Sequence, residues 1–511
     1  MYIVKNVQLP LGIQIDLSKA LLSKFGKSFS SIGEVKILRK ALDARKKNRL
    51  KFVFTLQVEG NPALEHPDII PYKKPQPYIK EQRKLSSIEP FIIGAGPAGL
   101  FAALGLVEKG FKPVIFDRGE SLEDRTKKVN SFWKNGILDE ESNVQFGEGG
   151  AGTFSDGKLT SRSRDHYSEK IFDYLVKFGA DEKIKYEALP HLGTDQLRVI
   201  IKKIREFLIS QGCSFNWRHK LSQIHLKNNK INYVVIHGNK YKPEAVILAV
   251  GNSARDTFEQ LNGLNALTSK PFAVGVRIEH TQEFINTAFY GDRTDITITG
   301  PATYRLTAKQ RERGIYSFCM CPGGYVIGAG SEKGHLTVNG MSFSDRSNKF
   351  SNSAIVATVD SKDFGPGALA GIEFQRKIES TCFKKSHQYL APVQSALDFI
   401  NREKPTTEIS CSYKPGVNLI DINTCLPEAI IYSLKYGLRQ FDKRIPGFLK
   451  KGILIAPETR TSSPVRMTRH SVSFNSVIAD NLFPAGEGSG YAGGIISSAV
   501  DGYKVAQIFS M

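Results

Sequence analysis

A glycine-rich turn between a predicted strand and a predicted helix constrains the fold of this chain more than any other feature. The first strand is Phe91–Ile93, and a second strand, Pro113 to Phe116, follows the helix. Strand, helix and strand together form one βαβ unit. The turn consists of Gly94, Ala95, Gly96, Pro97, Ala98 and Gly99. Because it leads from a strand directly into a helix, it has the position and spacing of a dinucleotide-binding fingerprint.

Each glycine of the turn has its own physical task. Gly94 permits the tight bend, Gly96 lets the backbone approach a pyrophosphate, and Gly99 allows the helix to pack closely on the sheet. Free N–H groups at the helix N-terminus attract the phosphates. Asp117, followed by Arg118, stands roughly twenty residues after the turn, where an acidic side chain accepts hydrogen bonds from ribose hydroxyls. The unit therefore predicts a bound dinucleotide.

Two later segments favour FAD over NAD as that dinucleotide. A predicted antiparallel meander, Ile224 to Leu226 and Ile231 to Ile236, leads into the apolar strand Ala245 to Val250, and Gly251 closes it. Leu221, Val250 and Gly251 are assigned to the cofactor. A second glycine-rich turn follows a strand near the C-terminus. A plain NAD-dependent Rossmann unit needs neither segment, whereas a flavoprotein fold with two dinucleotide sites uses both. We therefore predict non-covalently bound FAD.

Composition limits the remaining choices. A chain of 511 residues exceeds what one hydrophobic core fills, so we expect two or three domains. Six cysteines without a CxxC pair indicate neither a disulfide framework nor a metal site, and a cytoplasmic location fits best. The N-terminus lacks the pattern of a secretory signal, and the apolar run Phe91–Val107 is better explained by a strand, turn and helix than by a membrane span. The net charge of +20 attracts anions without distinguishing among them.

Several motifs resemble those of a bacterial family of uncharacterised FAD-dependent dehydrogenases, which belong to the glutathione-reductase-type flavoproteins. The resemblance covers nearly the whole chain. Besides the turn at Gly94 it rests on residues 146–158 (FGEGGAGTFSDGK), 190–195 (PHLGTD), 247–256 (ILAVGNSARD), 272–279 (FAVGVRIE), 319–324 (CMCPGG), 458–466 (ETRTSSPVR) and 486–494 (GEGSGYAGG). It implies an FAD-dependent oxidoreductase whose substrate the family does not identify.

The resemblance and the element pattern together predict an α/β fold class. We expect a two-part, Rossmann-like FAD-binding fold of the glutathione-reductase type, a mixed α+β substrate domain and a small N-terminal α/β domain. The predicted ranges are 1–60 for the small basic domain, 61–89 for a proline- and lysine-rich linker, 90–160 with 195–272 and 451–511 for the FAD-binding domain, and 161–194 with 273–450 for the substrate or cap domain.

The glycine-rich segment Phe146 to Lys158 is predicted to lie beside the FAD. Its amides can approach a phosphate or the flavin edge because glycines leave the backbone uncovered. The alternative is a flexible surface loop, which we consider the less favoured interpretation. The residues assigned to the cofactor here are Gly149, Gly150, Ala151 and Gly152, together with Thr153, Ser155 and Lys158, whose side chains are suited to an anionic ligand.

The turn near the C-terminus is predicted to hold the flavin end. Gly486 and Glu487 resemble the motif in which an acidic side chain bonds the ribityl chain, although related flavoproteins more often carry aspartate at the position of Glu487. A helix that begins near Gly493, Gly494 and Ile495 should direct its positive end toward the flavin N1 and C2=O region.

No general acid or base is identifiable from the sequence, so the catalytic residues are left unknown. Substrate-facing candidates precede or follow the C-terminal turn: Glu458, Arg460, Arg466, Arg469 and Tyr491, with His191 behind them. Arginines there would clamp a carboxylate or phosphate of a small molecule, or form an ion-pair network that joins domains. Both interpretations are kept.

Cys319 and Cys321 are predicted to play a structural role, and we expect them to point to opposite faces of a strand. The sequence Gly328-Ala-Gly330 resembles half of a second nucleotide fingerprint, but no apolar helix follows it. If NAD(P)H reduces the flavin, we expect it to bind transiently on the substrate side, and another electron donor is equally consistent with the sequence.

Two further hypotheses come from other classes of protein. The basic run Val35 to Lys51 raises the alternative of an RNA-modifying flavoprotein, but no aromatic residues for base stacking are interleaved among its basic ones. Nucleic acid is therefore the less favoured partner. The third hypothesis is a flavin-bearing binding module without turnover.

Overall fold

The computed structural model describes residues 1–12, 16–47, 49–62, 65–73, 83–160, 165–292, 294–405 and 409–511. Its main sheets are a parallel sheet, a larger mixed sheet and an antiparallel N-terminal sheet. The protein is thus a mixed α/β fold, as the sequence predicts. Within the described ranges, every helix is too short or too polar to cross a lipid bilayer.

Five short parallel strands form the sheet that carries the glycine turn. Val246 pairs with both Leu482 and Phe91, so the three neighbouring strands end at the same level. Parallel strands collect the loops at their carboxyl ends along one edge, which is where such sheets bind ligands. The strand order is Leu482–Pro484, Val246–Leu248, Phe91–Ile93, Val114–Phe116 and Ser214–Asn216.

Helices cover the faces of this sheet. Pro97–Val107 packs against Ile495–Ala506, and the contact is so close that a Cβ at Gly502 would lie 1.9 Å from the carbonyl oxygen of Ala98. The predicted meander is present as Leu221–Lys227, Lys230–Ile236 and Asn239–Tyr241. The remaining helices of this region are Leu122–Asn135, Tyr167–Lys177, Gly193–Ser210 and Arg255–Gly263.

The helix Tyr167–Lys177 packs into the core of the parallel-sheet domain, although the sequence analysis assigned 161–194 to the substrate domain. The ring centroids of Phe101 and Tyr174 lie 6.2 Å apart, and the Tyr174 hydroxyl donates to Glu108 over 2.5 Å. An amphipathic helix reports that one face is buried but not which surface covers it. Residues 161–164 of that assignment lie outside the described residues.

The larger sheet has seven strands and forms the second domain, which we call the cap. Its long central strands, Phe272–Thr281 and Phe350–Val359, pair along ten residues and are almost entirely buried. The strand order is Thr307–Gln310, Arg313–Cys321, Phe350–Val359, Phe272–Thr281, Ile453–Glu458, Ala391–Ser395 and Val417–Leu419. The helices of the cap are Gln282–Tyr290, Ile296–Thr299, Ser361–Phe364, Ala370–Lys385, Ala396–Asn401 and Glu428–Arg444.

One strand of the cap, Arg313–Cys321, contains a β-bulge close to its end. Phe318 pairs with Ala354 and Cys321 pairs with Asn352, so two residues of this strand face a single residue of its neighbour. Cys319, the first of the two, has a φ of +45°, which is a left-handed conformation. Residues two apart in a regular strand share a face, so the expectation that Cys319 and Cys321 point to opposite faces is wrong.

Tyr325–Gly328, the strand before the incomplete second fingerprint, pairs as a hairpin with Val338–Met341. Leu267–Ser269, which precedes the strands of the cap sheet in the chain, pairs antiparallel with Val465–Met467, which follows them. Arg83–Lys84 adds to Phe509–Ser510 at the C-terminus.

The N-terminal sheet consists of Phe29–Asp43, Lys51–Pro62, Tyr2–Pro10 and Ile69–Pro71, with the helix Leu17–Phe25 packed on it. Ile69–Pro71 lies within the segment predicted as a linker, of which 63–64 and 74–82 are outside the described residues. The basic run takes part in docking: the Lys40 N–H donates to the Tyr186 carbonyl over 2.7 Å. Arg45 pairs with Asp43 at 2.7 Å.

Candidate active site

Glycines from separate parts of the chain meet at the carboxyl edge of the parallel sheet. Gly94 adopts a φ of +105°, and a Cβ at Gly99 would lie 1.9 Å from the Gly94 carbonyl oxygen, so the turn closes only with glycine at both positions. A Cβ at Gly486 would lie 2.6 Å from the Cβ of Ala98. The C-terminal turn thus packs directly on the first turn of the helix that begins at Pro97.

The segment Phe146 to Lys158 packs onto the same place. The Gly149 N–H donates to the Ala95 carbonyl over 2.8 Å, and a Cβ at Gly150 would lie 3.1 Å from the Cα of Gly96. A Cβ at Gly152 would lie 3.1 Å from the Ile495 side chain. Three glycine-rich segments that the sequence analysis assigned to one cofactor are therefore neighbours in space.

Arg125 shapes this glycine-rich segment and was missed by the sequence analysis. The side chain is fully buried, and burial lowers its pKa to about 9, so the guanidinium remains charged at neutral pH. Its N–H groups donate to the carbonyl oxygens of Asn143, Val144, Gly147, Glu148 and Gly150 at 2.5–3.3 Å. A lone arginine in an amphipathic helix carries no sequence signal for this role.

Two hydroxyls of the segment serve the segment itself. Thr153 is fully buried, and its hydroxyl donates to the Glu148 carbonyl over 3.2 Å. The Ser155 hydroxyl donates to the Gly152 carbonyl over 2.7 Å and accepts from the Gly157 N–H. Both hydroxyls thus have a partner inside the segment, and the ligand contacts expected from Thr153 and Ser155 stay a prediction. A short polar side chain in a tight turn bonds the nearest backbone group first.

Asp117 connects the two strands of the βαβ unit. One carboxylate oxygen accepts from the Ala95 N–H and the other from the Gly119 N–H, both over 2.8 Å. Each oxygen retains a further lone pair for a ribose hydroxyl. Arg118 pairs with Asp256 at 2.7 Å and lies over the Phe146 ring at 4.5 Å, so its charge is neutralised within the protein.

Two carboxylates at or near the C-terminal turn have different hydrogen-bond partners. Glu487 accepts a hydrogen bond from the Asn252 side chain over 2.8 Å, and burial raises its pKa to about 7. The Gly486 N–H donates instead to Asp501 over 2.8 Å. Asp501 is also paired with Arg469 at 2.6 Å. Neither Asn252 nor Asp501 was predicted as a site residue, because the sequence does not show which side chains contact this turn.

Open space remains along these glycines. No atom of the described residues lies within 4 Å of a Cβ placed at Gly251 or Gly493, and only the Ser497 side chain, at 4.0 Å, approaches one at Gly494. The helix that starts at Ile495 presents N–H groups that have no partner within the helix. Val250 precedes this open region, whereas Leu221 is buried at the start of the meander. A cradle lined by backbone fits the extended pyrophosphate-linked shape of a dinucleotide.

Glu458 and Arg460 are both engaged inside the protein. Glu458 accepts from Arg277 over 2.9 Å, and burial raises its pKa to about 7 despite that partner. Arg460 donates to Glu379 over 3.1 Å and to Ser253 over 3.1 Å. Because Ser253 belongs to the parallel-sheet domain and Glu379 to the cap, Arg460 takes part in an ion-pair network that joins the domains.

Arg466 and Arg469 both lie over the ring of Tyr491, at 5.2 and 4.0 Å from its centroid. Arg466 is exposed, whereas Arg469 is held by Asp501. His191 lies apart from this group: its ring nitrogen is 3.3 Å from the Ser344 carbonyl, and burial lowers its pKa to about 4. Of the predicted substrate-facing cations, Arg466 is therefore the one whose charge is directed outward.

Comparison with known proteins assigns the chain to a family. Residues 271–461 match the family described as FAD-dependent protein, C-terminal domain-like. An uncharacterised protein of Clostridium beijerinckii is 43% identical over 520 residues, which cover 99% of this chain and 97% of that protein. The chain belongs to this family of FAD-dependent proteins. The resemblance found in the motifs is confirmed.

Two solved structures match this chain at much lower identity. L-amino acid deaminase from Proteus vulgaris is 13% identical, with 84% of this chain and 95% of that chain covered and a TM-score of 0.36. A geranylgeranyl bacteriochlorophyll reductase-like protein from Thermoplasma acidophilum is 12% identical, with 82% and 77% covered and a TM-score of 0.35.

The cofactor of this FAD-dependent protein is FAD. The fit rests on Gly96, where among the described residues only the Gly150 backbone, at 3.6 Å, approaches an added Cβ, so a side chain there would occupy the space that a pyrophosphate requires.

Proposed function

We propose that this FAD-dependent protein is an oxidoreductase that acts on a small anionic molecule, with FAD bound non-covalently in the manner of glutathione-reductase-type flavoproteins. The FAD, when bound, supplies the capacity to accept or donate two electrons and a proton. The residues proposed to hold it are the turn Gly94–Gly99, Asp117, the amides of Gly149–Gly152, and Gly486, Glu487, Gly493 and Gly494. Arg125 and Asp501 hold these segments in place.

One observation carries the proposal. Glu487 and the N-terminus of the helix Ile495–Ala506 belong to one continuous turn, and the cation of Arg466 stacks on Tyr491 within it. Lys270 is also close to Glu487, whose negative charge acts on the pKa of that lysine. Positive charge at this end of the cradle favours a reduced, anionic flavin and attracts an anionic substrate. A protein that only stored FAD would gain nothing from this arrangement.

Anaerobic mixing tests the proposal. The purified protein should be yellow, and NADH, NADPH or dithionite should bleach the flavin, which an acceptor should then restore. A panel of small carboxylates and phosphates should perturb the flavin absorption spectrum. The perturbation should weaken in Arg466→Ala and remain in Arg311→Ala, whose arginine lies in the hairpin at the edge of the cap sheet.

Two results would contradict the proposal. The first is a wild-type protein that is colourless and fails to take up FAD. The second is a loaded protein that neither turns over with donor and acceptor pairs nor responds to any of the anions, which would leave the binding module as the better account.

A further inference from the structure

The bulge at the end of the strand Arg313–Cys321 brings two cysteines together. Cys321 pairs regularly with Asn352, but Cys319 adopts a left-handed conformation, so the chain folds back locally. As a result the Cys321 sulfur lies 3.3 Å from the Cys319 carbonyl oxygen. Cys321 also lies close enough to Cys319 that hydrogen bonding between the two side chains lowers the pKa of Cys319 and raises that of Cys321. We call Cys319, Met320 and Cys321 the thiol bulge.

Two cations hold the thiol bulge. Lys158 donates a short hydrogen bond to the Met320 carbonyl. Arg277 donates to the Cys319 carbonyl over 2.7 Å, and the same nitrogen is 3.9 Å from the Cys321 sulfur. The hydrogen bond from Cys321, together with the charges of Lys158 and Arg277, holds the pKa of Cys319 well below its usual value. Such surroundings stabilise a thiolate, which is the reactive form of cysteine.

The thiol bulge adjoins the proposed cofactor cradle. Lys158 ends the segment whose Gly150 packs on Gly96 and whose Gly152 packs on Ile495. The charge of Cys319 is also close enough to raise the pKa of Glu487. Cys319 is half-buried, whereas Cys321 is buried. Cys319 is therefore the less buried of the two residues.

We propose that Cys319 and Cys321 are a redox-active dithiol that exchanges two electrons with the bound FAD. The inference rests on the proposed oxidoreductase function. In the oxidising direction the Cys319 thiolate and the Cys321 thiol form a disulfide, which releases two electrons and one proton. The oxidised FAD takes up both electrons and the proton and becomes the anionic reduced form, so that atoms and charge balance. The reverse step reduces the disulfide and returns the FAD to its oxidised form.

A second cysteine pair offers a matched control. Cys382 and Cys425 also act on each other's pKa, and both are buried in the apolar core of the cap. The cation that acts on this pair is Lys385, whereas Lys158 and Arg277 act on the thiol bulge. A redox role should therefore separate the two pairs, whereas a general effect of buried thiols should not.

The test counts electrons and labels thiols. FAD-loaded protein is oxidised in air, freed of oxygen, and titrated with dithionite while the flavin absorbance is followed. Wild type and Cys382→Ser should take up four electrons per FAD, and Cys319→Ser and Cys321→Ser should take up two. Iodoacetamide followed by mass spectrometry should modify Cys319 only in the reduced wild-type protein.

The outcomes separate this inference from the function on which it rests. An air-oxidised wild type that takes up two electrons, or whose Cys319 is already alkylated by iodoacetamide, overturns the dithiol and leaves the oxidoreductase intact. Failure to bind FAD overturns the function itself. FAD content and Tm of each serine variant are measured alongside. If Cys319→Ser does not retain FAD, the labelling of the oxidised and reduced wild type decides the question.

Discussion

Arg125 offers the sharpest test of how the cofactor cradle is built. Its guanidinium donates to five backbone carbonyls of residues 143–150, and it is fully buried. A lysine keeps the positive charge but carries only three N–H donors. Arg125→Lys therefore removes at least two of these hydrogen bonds while changing the charge of the site very little.

The expected cost follows from those two hydrogen bonds. A hydrogen bond to a charged group contributes about 1.5–3 kcal/mol, so the substitution should cost about 3–6 kcal/mol in total. Part of this free energy should appear as lower stability of the fold around the helix Leu122–Asn135. The rest should appear as weaker FAD binding, because the same carbonyls set the path of Gly149 and Gly150. A share of about 1.4 kcal/mol at the cradle raises the FAD Kd about tenfold.

Isothermal titration of the apo protein with FAD, together with Tm, measures both parts. Arg205→Lys is the matched control, because Arg205 lies in the neighbouring helix and bonds the side chains of Glu123 and Glu148 rather than loop carbonyls. We expect it to change the FAD Kd by less than about threefold. If Arg125→Lys binds FAD with wild-type affinity and unfolds at the wild-type Tm, the loop does not depend on these hydrogen bonds.

Four further predictions concern other parts of the protein. Gly96→Val should abolish FAD retention, because a branched side chain would stand in the path of the pyrophosphate; a yellow variant after gel filtration would contradict this. Glu487→Ala should weaken FAD binding by about 1.5–3 kcal/mol, the value for a hydrogen bond to a charged group, as titration would show. Burial raises the pKa of Glu487 to about 7, so the folded apo protein binds this proton more tightly than the unfolded chain does. The folded protein therefore loses stability as the pH rises from the pKa of the unfolded chain to about 7. Glu487→Gln should therefore gain Tm relative to wild type over that range, and parallel Tm curves would refute the assignment. The last variant reverses the charges of Arg39, Arg45, Lys46, Lys47 and Arg49. Because Lys40 in the same run docks onto Tyr186, we expect tRNA retention at physiological salt to be as weak as in wild type. Tight, saturable and salt-sensitive binding of tRNA by wild type, lost in the variant, would favour the RNA hypothesis.

The local elements of this protein were predictable because short-range chemistry determines them. Gly94 and Gly99 are required by the turn itself. Asp16 caps the helix Leu17–Phe25, because its side chain accepts a hydrogen bond from the Lys19 N–H. The strands and the helix of the βαβ unit differ from the prediction by only a residue or two at their ends. From these elements the sequence alone determined the α/β class and the FAD cofactor.

Tertiary structure decided which side chains meet, because such meetings depend on contacts between segments far apart in the chain. Arg125 lies outside every motif, yet it organises the glycine-rich segment beside the cradle. Asp501, and not Glu487, holds the Gly486 amide. A single extra residue in the strand Arg313–Cys321 sets the left-handed conformation of Cys319 and so the path of the backbone between the two cysteines. Period and spacing describe one segment at a time, whereas burial and hydrogen bonding are settled only when the segments pack together.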